Sequence, residues 1–401
     1  MAPPSVETKD GLLSDNNSIP LCKIPIEKTK DVSDDYEVES KPFARGKFAT
    51  VKHCVHKTTR QSYAAKYIKK RRRCQDVTHE ILHEARVLLL AAKSDRIVQL
   101  EKIYESTHDY ILVLELAAGG ELQAVLDREE FLPENTSRHV MKQVLEGIAF
   151  LHENQIAHLD IKPQNILLTR PLPCCDIKIC DFGISRVISK GYDLREIIGT
   201  PDYVAPEILN YEPISLATDM WSIGCLTYVV LSGCSPFGGD DKQETFCNIT
   251  SATLDFPSDV FGEVSANAID FIKRLIVKEP KKRLSCIEAS KHDWLTSGSQ
   301  KSSVTVNPIV VCLNNNNNNN NNNNHHHEHH SSPQSILPPP CEQTGIEVDT
   351  STTMTTTTVA PVSTTTTTTG PTAQLLLQEL RGDQNAADDD DEDDTLSSSS
   401  S

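Results

Sequence analysis

The run His158-Leu159-Asp160-Ile161-Lys162-Pro163-Gln164-Asn165, with Asp181-Phe182-Gly183 beginning sixteen residues after Asn165, concentrates the residue types that phosphoryl transfer needs. That reaction asks little covalent chemistry of a protein. It needs a group to orient the acceptor hydroxyl, oxygen ligands for the cations on the phosphates, and positive charge to spread the developing negative charge. Asp160 can accept the hydrogen bond of an alcohol, and Lys162 can reach the transferred group. Asn165 and Asp181 supply hard oxygen donors suited to two Mg2+ ions. Either motif alone is a weak signal, whereas both in order with the spacing kept form a specific one.

Elements able to position these groups are legible around them. Ser62 to Ile68 reads as a strand, and Ile81 to Ala92, rich in Leu, Ala and Glu, carries an apolar stripe at helical spacing. Tyr110 to Glu115 is a short apolar strand ending in a turn at Gly119-Gly120. Pro133-Glu134-Asn135 introduces a helix from Thr136 to Asn154, with Val140, Val144, Leu145, Ile148 and Leu151 on one face. A further helix, apolar nearly all round, starts at Asp219-Met220-Trp221-Ser222-Ile223-Gly224.

Together these marks resemble the protein-kinase superfamily over Asp35 to Leu295. The resemblance implies an α+β fold of two lobes, a β-rich small lobe with one regulatory helix and a mainly helical large lobe, with ATP and Mg2+ in the cleft between. It implies that Lys66, in Tyr63-Ala64-Ala65-Lys66, grips the α/β-phosphates. Glu84 is its expected partner, with Glu80, one turn earlier, the competitor. Leu114 would stand beside the adenine, backbone groups of Glu115 and Ala117 would bond its edge, and Val51, Ala64 and Leu167 would sandwich the ring. Glu121 would meet the ribose or a substrate arginine. For the apolar residues, plain core packing is a compatible reading.

The phosphate loop departs from the superfamily pattern. Where glycines recur, this chain has Ala44-Arg45-Gly46-Lys47-Phe48-Ala49-Thr50-Val51, keeping only Gly46. That is the position where a Cβ would most obstruct a phosphate. The two alanines are expected to stiffen the loop and weaken or slow nucleotide binding. Pro42 cannot donate to a ladder on both sides, so its strand should lie at an edge.

Ile198-Gly199-Thr200-Pro201-Asp202-Tyr203-Val204-Ala205-Pro206-Glu207 resembles the end of an activation segment. Thr200 would bond Asp160 and Lys162, the arrangement of serine/threonine kinases. Glu207 would pair with Arg283, and Asp219 would hold backbone near His158. Most of the superfamily has arginine before the catalytic aspartate, where it binds a phosphate on the activation segment. Here Leu159 stands there and cannot neutralise one. Activity without activation-segment phosphorylation is expected, although Ser185 and Ser189 are available. Gly46-Lys47-Phe48-Ala49, Leu116-Ala117-Ala118-Gly119-Gly120-Glu121-Leu122, His158-Leu159-Asp160 and Asp202 to Asn210 are similar to the death-associated protein kinase family, closest to its apoptosis-inducing branch. Members phosphorylate Ser/Thr in basic contexts, myosin regulatory light chain among them, and are linked to cell death. The basic run Lys69-Lys70-Arg71-Arg72-Arg73 has three readings: a docking surface, a nuclear-import patch, or a solvated loop.

A chain of 401 residues can hold such a domain plus tails. The net charge is −17, of which Asp388 to Asp394 carries seven negatives, so nucleic-acid binding has no global electrostatic support. No segment reaches transmembrane length, and Met1 opens no apolar leader. The 12 cysteines follow no framework and read as reduced thiols of an intracellular protein, cytoplasmic or nuclear. Cys174-Cys175 lacks the gap of a metal or redox pair. Cys180 is either a reactive handle in the nucleotide pocket or a buried inert thiol.

Residues 1–34 read as a flexible extension and 296–401 as a disordered low-complexity tail, leaving a kinase domain at 35–295 divided near 116/117. The tail holds an asparagine tract at Asn314 to Asn324, histidines from His325 to His330, and threonine runs. Such composition cannot bury enough apolar surface to order itself. The histidines read as a weak metal site or as drift beside the tract, and Ala373 to Arg381 as a helical partner motif. The stretch Thr296 to Ser303 has one cation and no apolar stripe, so no calmodulin target is expected. Two function classes remain: an active serine/threonine kinase, and a pseudokinase scaffold suggested by Ala44 and Ala49.

Overall fold

The computed structural model describes residues 24–46, 49–72, 75–173, 176–189 and 191–296. Lys47, Phe48, Arg73, Cys174-Cys175 and the features placed in the tail beyond Thr296 lie outside the described residues.

Six strands build the first sheet: β1 (Ile26–Glu27), β2 (Tyr36–Arg45), β3 (Ala49–His56), β4 (Ser62–Lys69), β5 (Leu100–Glu105) and β6 (Asp109–Glu115). Their spatial order is β1-β5-β6-β4-β3-β2, antiparallel except for the parallel β1–β5 pair. Period-two alternation decides what β4 does. Tyr63 and Ala65 face a small aromatic core with Tyr36, Tyr104 and Val113, where Tyr36 meets Tyr63 edge-on at 5.7 Å. Ala64, Lys66 and Ile68 point the other way. Pro42 sits in the edge strand β2, as its missing N–H demands, and the β2–β3 register slips on either side of it. The order begins before residue 35. Ile26–Glu27 adds a strand to β5, and Asp35 accepts from Lys102 and Tyr104, both at 2.6 Å. The ordered part therefore starts before residue 35, because Ile26–Glu27 has a sheet edge to pair with and Lys28 a carboxylate, Glu105, at 2.9 Å.

Helix α1 (Thr78–Leu90) follows, three residues ahead of the sequence-based start, with a short 3-10 turn at Ala91–Lys93. Asp76 explains the earlier start: its side chain accepts the Thr78 N–H at 2.8 Å. Helix α1 buries His83 and Glu84 among apolar Ile81, Ala85, Val87 and Leu88. Two polar groups inside an apolar stripe require partners, and both have them.

The helical part carries α2 (Leu122–Glu129), α3 (Glu134–Glu153) and α4 (Leu216–Ser232). Helix α3 starts two residues before Thr136 because Glu134 is tied down by the Ser265 N–H, the Ser265 hydroxyl and the Trp294 indole. Helix α4 opens on a capping box between Ser215 and Thr218 and stops at Gly233, φ +74°. A Cβ at Gly233 would lie 2.6 Å from the Glu130 carbonyl, so glycine is required twice over. Short strands frame the cleft: β7 (Gly120–Glu121), β9 (Ile166–Leu168) and β10 (Ile177–Ile179) pair as β7-β9-β10, while β8 (Ile156–Ala157) pairs with β11 (Arg186–Val187). No helix among the described residues is long and apolar enough to cross a membrane.

Candidate active site

Lys66 leaves the cleft face of β4 and reaches two carboxylates at once. Its Nζ donates to Glu84 Oε1 at 2.7 Å and to Asp181 Oδ1 at 3.0 Å. Burial opposes the charge on Lys66, but the two carboxylates outweigh it and hold its pKa above the ordinary lysine value. Lys66 in turn keeps the Asp181 carboxyl below its usual range. Glu80 does not compete: it accepts from Arg72 at 2.9 Å on the outer side of α1. The regulatory helix is thus docked against the cleft.

The second half of the site hangs from Asp219. This aspartate is fully buried at the start of α4 and accepts the N–H groups of His158 (2.9 Å) and Leu159 (2.8 Å), with His152 Nε2 at 2.8 Å. Those bonds hold Leu159 at φ +67°, a conformation costly for leucine. His158 Nδ1 accepts the Asp160 N–H and Nε2 faces the Cys180 carbonyl at 3.1 Å, which sets its tautomer with hydrogen on Nε2. Phe182, fully buried, packs on the His158 ring at 5.1 Å.

Asp160, Lys162, Asn165 and Thr200 converge. Lys162 Nζ is 2.8 Å from Asp160 Oδ2 and donates to Thr200 Oγ1 at 2.7 Å. Thr200 donates to Asp160 Oδ1 at 2.6 Å. Asn165 Nδ2 donates to the Asp160 carbonyl and to its Oδ2, at 2.8 and 2.9 Å. With its nitrogen committed, Asn165 presents its amide oxygen as ligand. Among the described residues, no three His, Cys, Asp or Glu side chains gather into a self-sufficient metal site. An amide oxygen and the Asp181 carboxylate fit magnesium that arrives on phosphates.

The residues expected to wall the nucleotide lie on paired strands. Ala64 and Leu114 are register partners across β4 and β6, and both are buried. Val51 lies across from Lys66, and Leu167 across from Glu121. Glu115 donates its own N–H to Gln99 at 2.9 Å, which leaves only its carbonyl for an adenine edge. Glu121 is half-buried before α2, and burial raises its carboxyl pKa. In the β2–β3 hairpin Ala44 and Val51, then Arg45 and Thr50, are partners, and the Gly46 N–H bonds the Ala49 carbonyl at 2.9 Å. Among the described residues, a Cβ on Gly46 would meet nothing closer than that carbonyl at 3.8 Å, so packing against them does not demand glycine there.

Two expectations change. Ser185 is fully buried, bonding Phe182 O at 2.8 Å and His83 Nε2 at 3.1 Å, and so is not an exposed hydroxyl. The basic run is partly committed: Lys70 donates to Glu105 at 2.8 Å, and Arg72 pairs with Glu80, leaving Lys69 and Arg71 exposed. Burial pushes the Cys180 thiol well above its usual pKa, which fits the inert reading. His83, Arg186 and Glu196 escape the sequence reading. Arg186 binds Glu196 through Nε (3.0 and 3.1 Å) and Nη2 (2.7 Å). The signal was there in His83, a polar residue on the apolar stripe of α1.

The chain matches the family model described as "Protein kinase domain" over residues 38–295. It is similar to "Death-associated protein kinase related" of Drosophila melanogaster, 54% identical over 265 residues, which are 66% of this chain and 39% of that protein. It is 50% identical over 280 residues to "Serine/threonine-protein kinase 17A" of Oryctolagus cuniculus, covering 69% of this chain and 70% of the relative. It is 42% identical over 290 residues to human "Death-associated protein kinase 2", covering 71% and 78%. The chain thus spans well under half the length of the Drosophila relative. Fold, converging side chains and these matches together place the chain in the protein kinase family, among the death-associated serine/threonine kinases.

Proposed function

We propose that the chain transfers the γ-phosphoryl group of ATP to Ser/Thr hydroxyls of protein substrates. The observation that carries this is the closed set of contacts joining Lys66 to Glu84 and Asp181, and Asp160 to Lys162, Asn165 and Thr200. Asp160 orients the incoming hydroxyl, Lys162 faces the transferred group, and Thr200 fixes both. Lys66, with Glu84 behind it, holds the α/β-phosphates, and Asn165 and Asp181 ligate magnesium. Bound magnesium supplies charge neutralisation on the phosphates. Gly46 with its neighbours covers the phosphates, and Val51, Ala64, Leu114, Leu167 and the backbone of Glu115 and Ala117 take the adenine.

Glu121 supports a preference for basic substrates, myosin regulatory light chain among them. The names of the relatives support a role in cell death, with cytoskeletal signalling alongside. Exposed Lys69 and Arg71 support docking through the basic run. The catalytic domain is assigned to residues 35–295, preceded by its β1 segment, in an intracellular protein. Calmodulin is not among the proposed partners. The scaffold reading rests on Ala44 and Ala49 alone, and the intact Lys66 and Asp160 clusters weigh against it. The test is transfer from labelled ATP to a basic peptide, beside Asp160→Asn. Transfer well above that variant is the expected result. Equal counts would leave the scaffold standing.

A further inference from the structure

Between the metal-binding motif and Thr200, an ion pair of Arg186 with Glu196 closes the chain on itself. Arg186, in β11, presents its guanidinium to both oxygens of Glu196, at 3.0, 3.1 and 2.7 Å. The pair is half-buried, at 27% and 34% side-chain exposure, and multiply bonded, the geometry in which an ion pair orders a chain. Glu196 lies four residues before Thr200. Arg186 lies five residues after Asp181.

Arg186 sits at a junction of three parts of the site. Its Cα partner in the β8–β11 pair is Ala157, the residue before His158. The residue before it, Ser185, bonds Phe182 O and faces His83 of α1, next to Glu84. Arg186 Nη1 also donates to the Ser185 carbonyl at 3.0 Å. The segment beyond is anchored on the far side as well, by Ile214 N–H to Leu194 O at 2.8 Å. Leu159, beside the catalytic aspartate, is buried and uncharged, and offers no cation to this region. The anion that the segment needs is therefore supplied within the chain and is received by Arg186.

We propose that Glu196 and Arg186 are positioning residues: a built-in carboxylate clamp that holds the activation segment, and through it Thr200 and Asp160, in the transfer geometry without a phosphate. This rests on the reading that the chain is an active kinase. Neither residue is among those proposed to hold ATP or to align the acceptor. Their effect runs through Thr200 on one side and through β11, β8 and the His83 contact on the other. Loss of the clamp should therefore lower kcat and leave the KM for ATP nearly unchanged.

The test is a cycle of E196Q, R186Q and the double variant, with melting temperatures measured alongside to confirm folding. Each single change is expected to lower kcat by about tenfold or more, since small misplacement of catalytic groups is costly. The double variant should be no worse than either single one, because the pair is already lost. A second readout is independent of activity: trypsin should cut the 187–195 stretch and after Arg195 several-fold faster in E196Q than in wild type. Unchanged kcat with unchanged cleavage, or losses that simply multiply in the double variant, overturns the clamp while the kinase reading stands. Wild-type transfer no higher than that of Asp160→Asn overturns the kinase reading instead, and the cleavage rates alone then decide the clamp.

Discussion

Arg283 grips Glu207 with both terminal nitrogens, at 2.7 and 2.6 Å, and both side chains are out of solvent. The guanidinium also bonds the Val277, Lys278 and Ala217 carbonyls and stacks over Trp221 at 5.2 Å. Thr218 donates to the same Glu207 carboxylate at 2.9 Å. This network ties the end of the activation segment to α4. Removing one partner leaves a buried charge, so Glu207→Ala should cost about 3–5 kcal/mol. Arg283→Lys should also be costly, because a point charge cannot make the fork. Denaturant unfolding of each variant checks both.

A pH effect follows from His83. Burial is the main cause, with Arg186 nearby, and together they lower its pKa from the ordinary histidine value to about 4. The folded protein thus holds His83 neutral where the unfolded chain is protonated. Between about pH 6.5 and pH 4 the unfolded state binds the extra proton, so stability falls as pH drops through that window. His83→Gln keeps a hydrogen-bonding group without the titration. Its melting temperature should fall less steeply than that of wild type over this range, measured by thermal scans.

Gly46→Ala separates ligand fit from folding. Among the described residues, the added methyl meets only the Ala49 carbonyl, at an ordinary contact distance. Stability should therefore change by less than about 1 kcal/mol. A phosphate at that backbone should be obstructed, so the KM for ATP should rise with a smaller change in kcat. A melting-temperature loss comparable to that of Glu207→Ala would contradict this assignment.

Thr200 bonds both Asp160 and Lys162, the residues we propose for hydroxyl alignment and charge. Thr200→Val keeps the shape and deletes both hydroxyl bonds to Asp160 and Lys162. It should lower kcat by about tenfold to a hundredfold, with Thr200→Ser recovering most of the loss. Steady-state kinetics on one peptide substrate suffices.

Phosphatase treatment tests the role of Leu159. A leucine there cannot bind a phosphate, and Ser185 is sealed between His83 and Phe182. Turnover before and after exhaustive dephosphorylation should agree within about twofold. A large loss would show that a modified residue on the segment is required.

Most of the catalytic geometry was legible because short motifs fix both residue type and spacing. Lys66 meets Asp181, and Asp160 meets Asn165, each across the distance in the chain that its motif spans. What stayed hidden depends on contacts distant in the chain. Nothing local distinguishes Arg186 or Glu196 from solvated charges. Glu84 was the expected partner of Lys66 and Glu80 its competitor; the contacts of Lys66 with Glu84 and of Arg72 with Glu80 separate the two. The boundary at residue 35 misplaced the start of order, because a two-residue strand such as Ile26–Glu27 has no pattern of its own and forms only against the β5 edge.

Leu114 carries a practical consequence. It is buried across from Ala64, a residue already small, where we propose that the adenine binds. Trimming Leu114 to glycine should hollow out the region behind the purine, at a stability cost of about 2–5 kcal/mol. ATP analogues with bulky N6 substituents, excluded from ordinary kinases, would then be accepted by this one alone. A thiophosphate-bearing analogue would mark its direct targets in a cell extract, which turns one side chain into a means of finding the substrates.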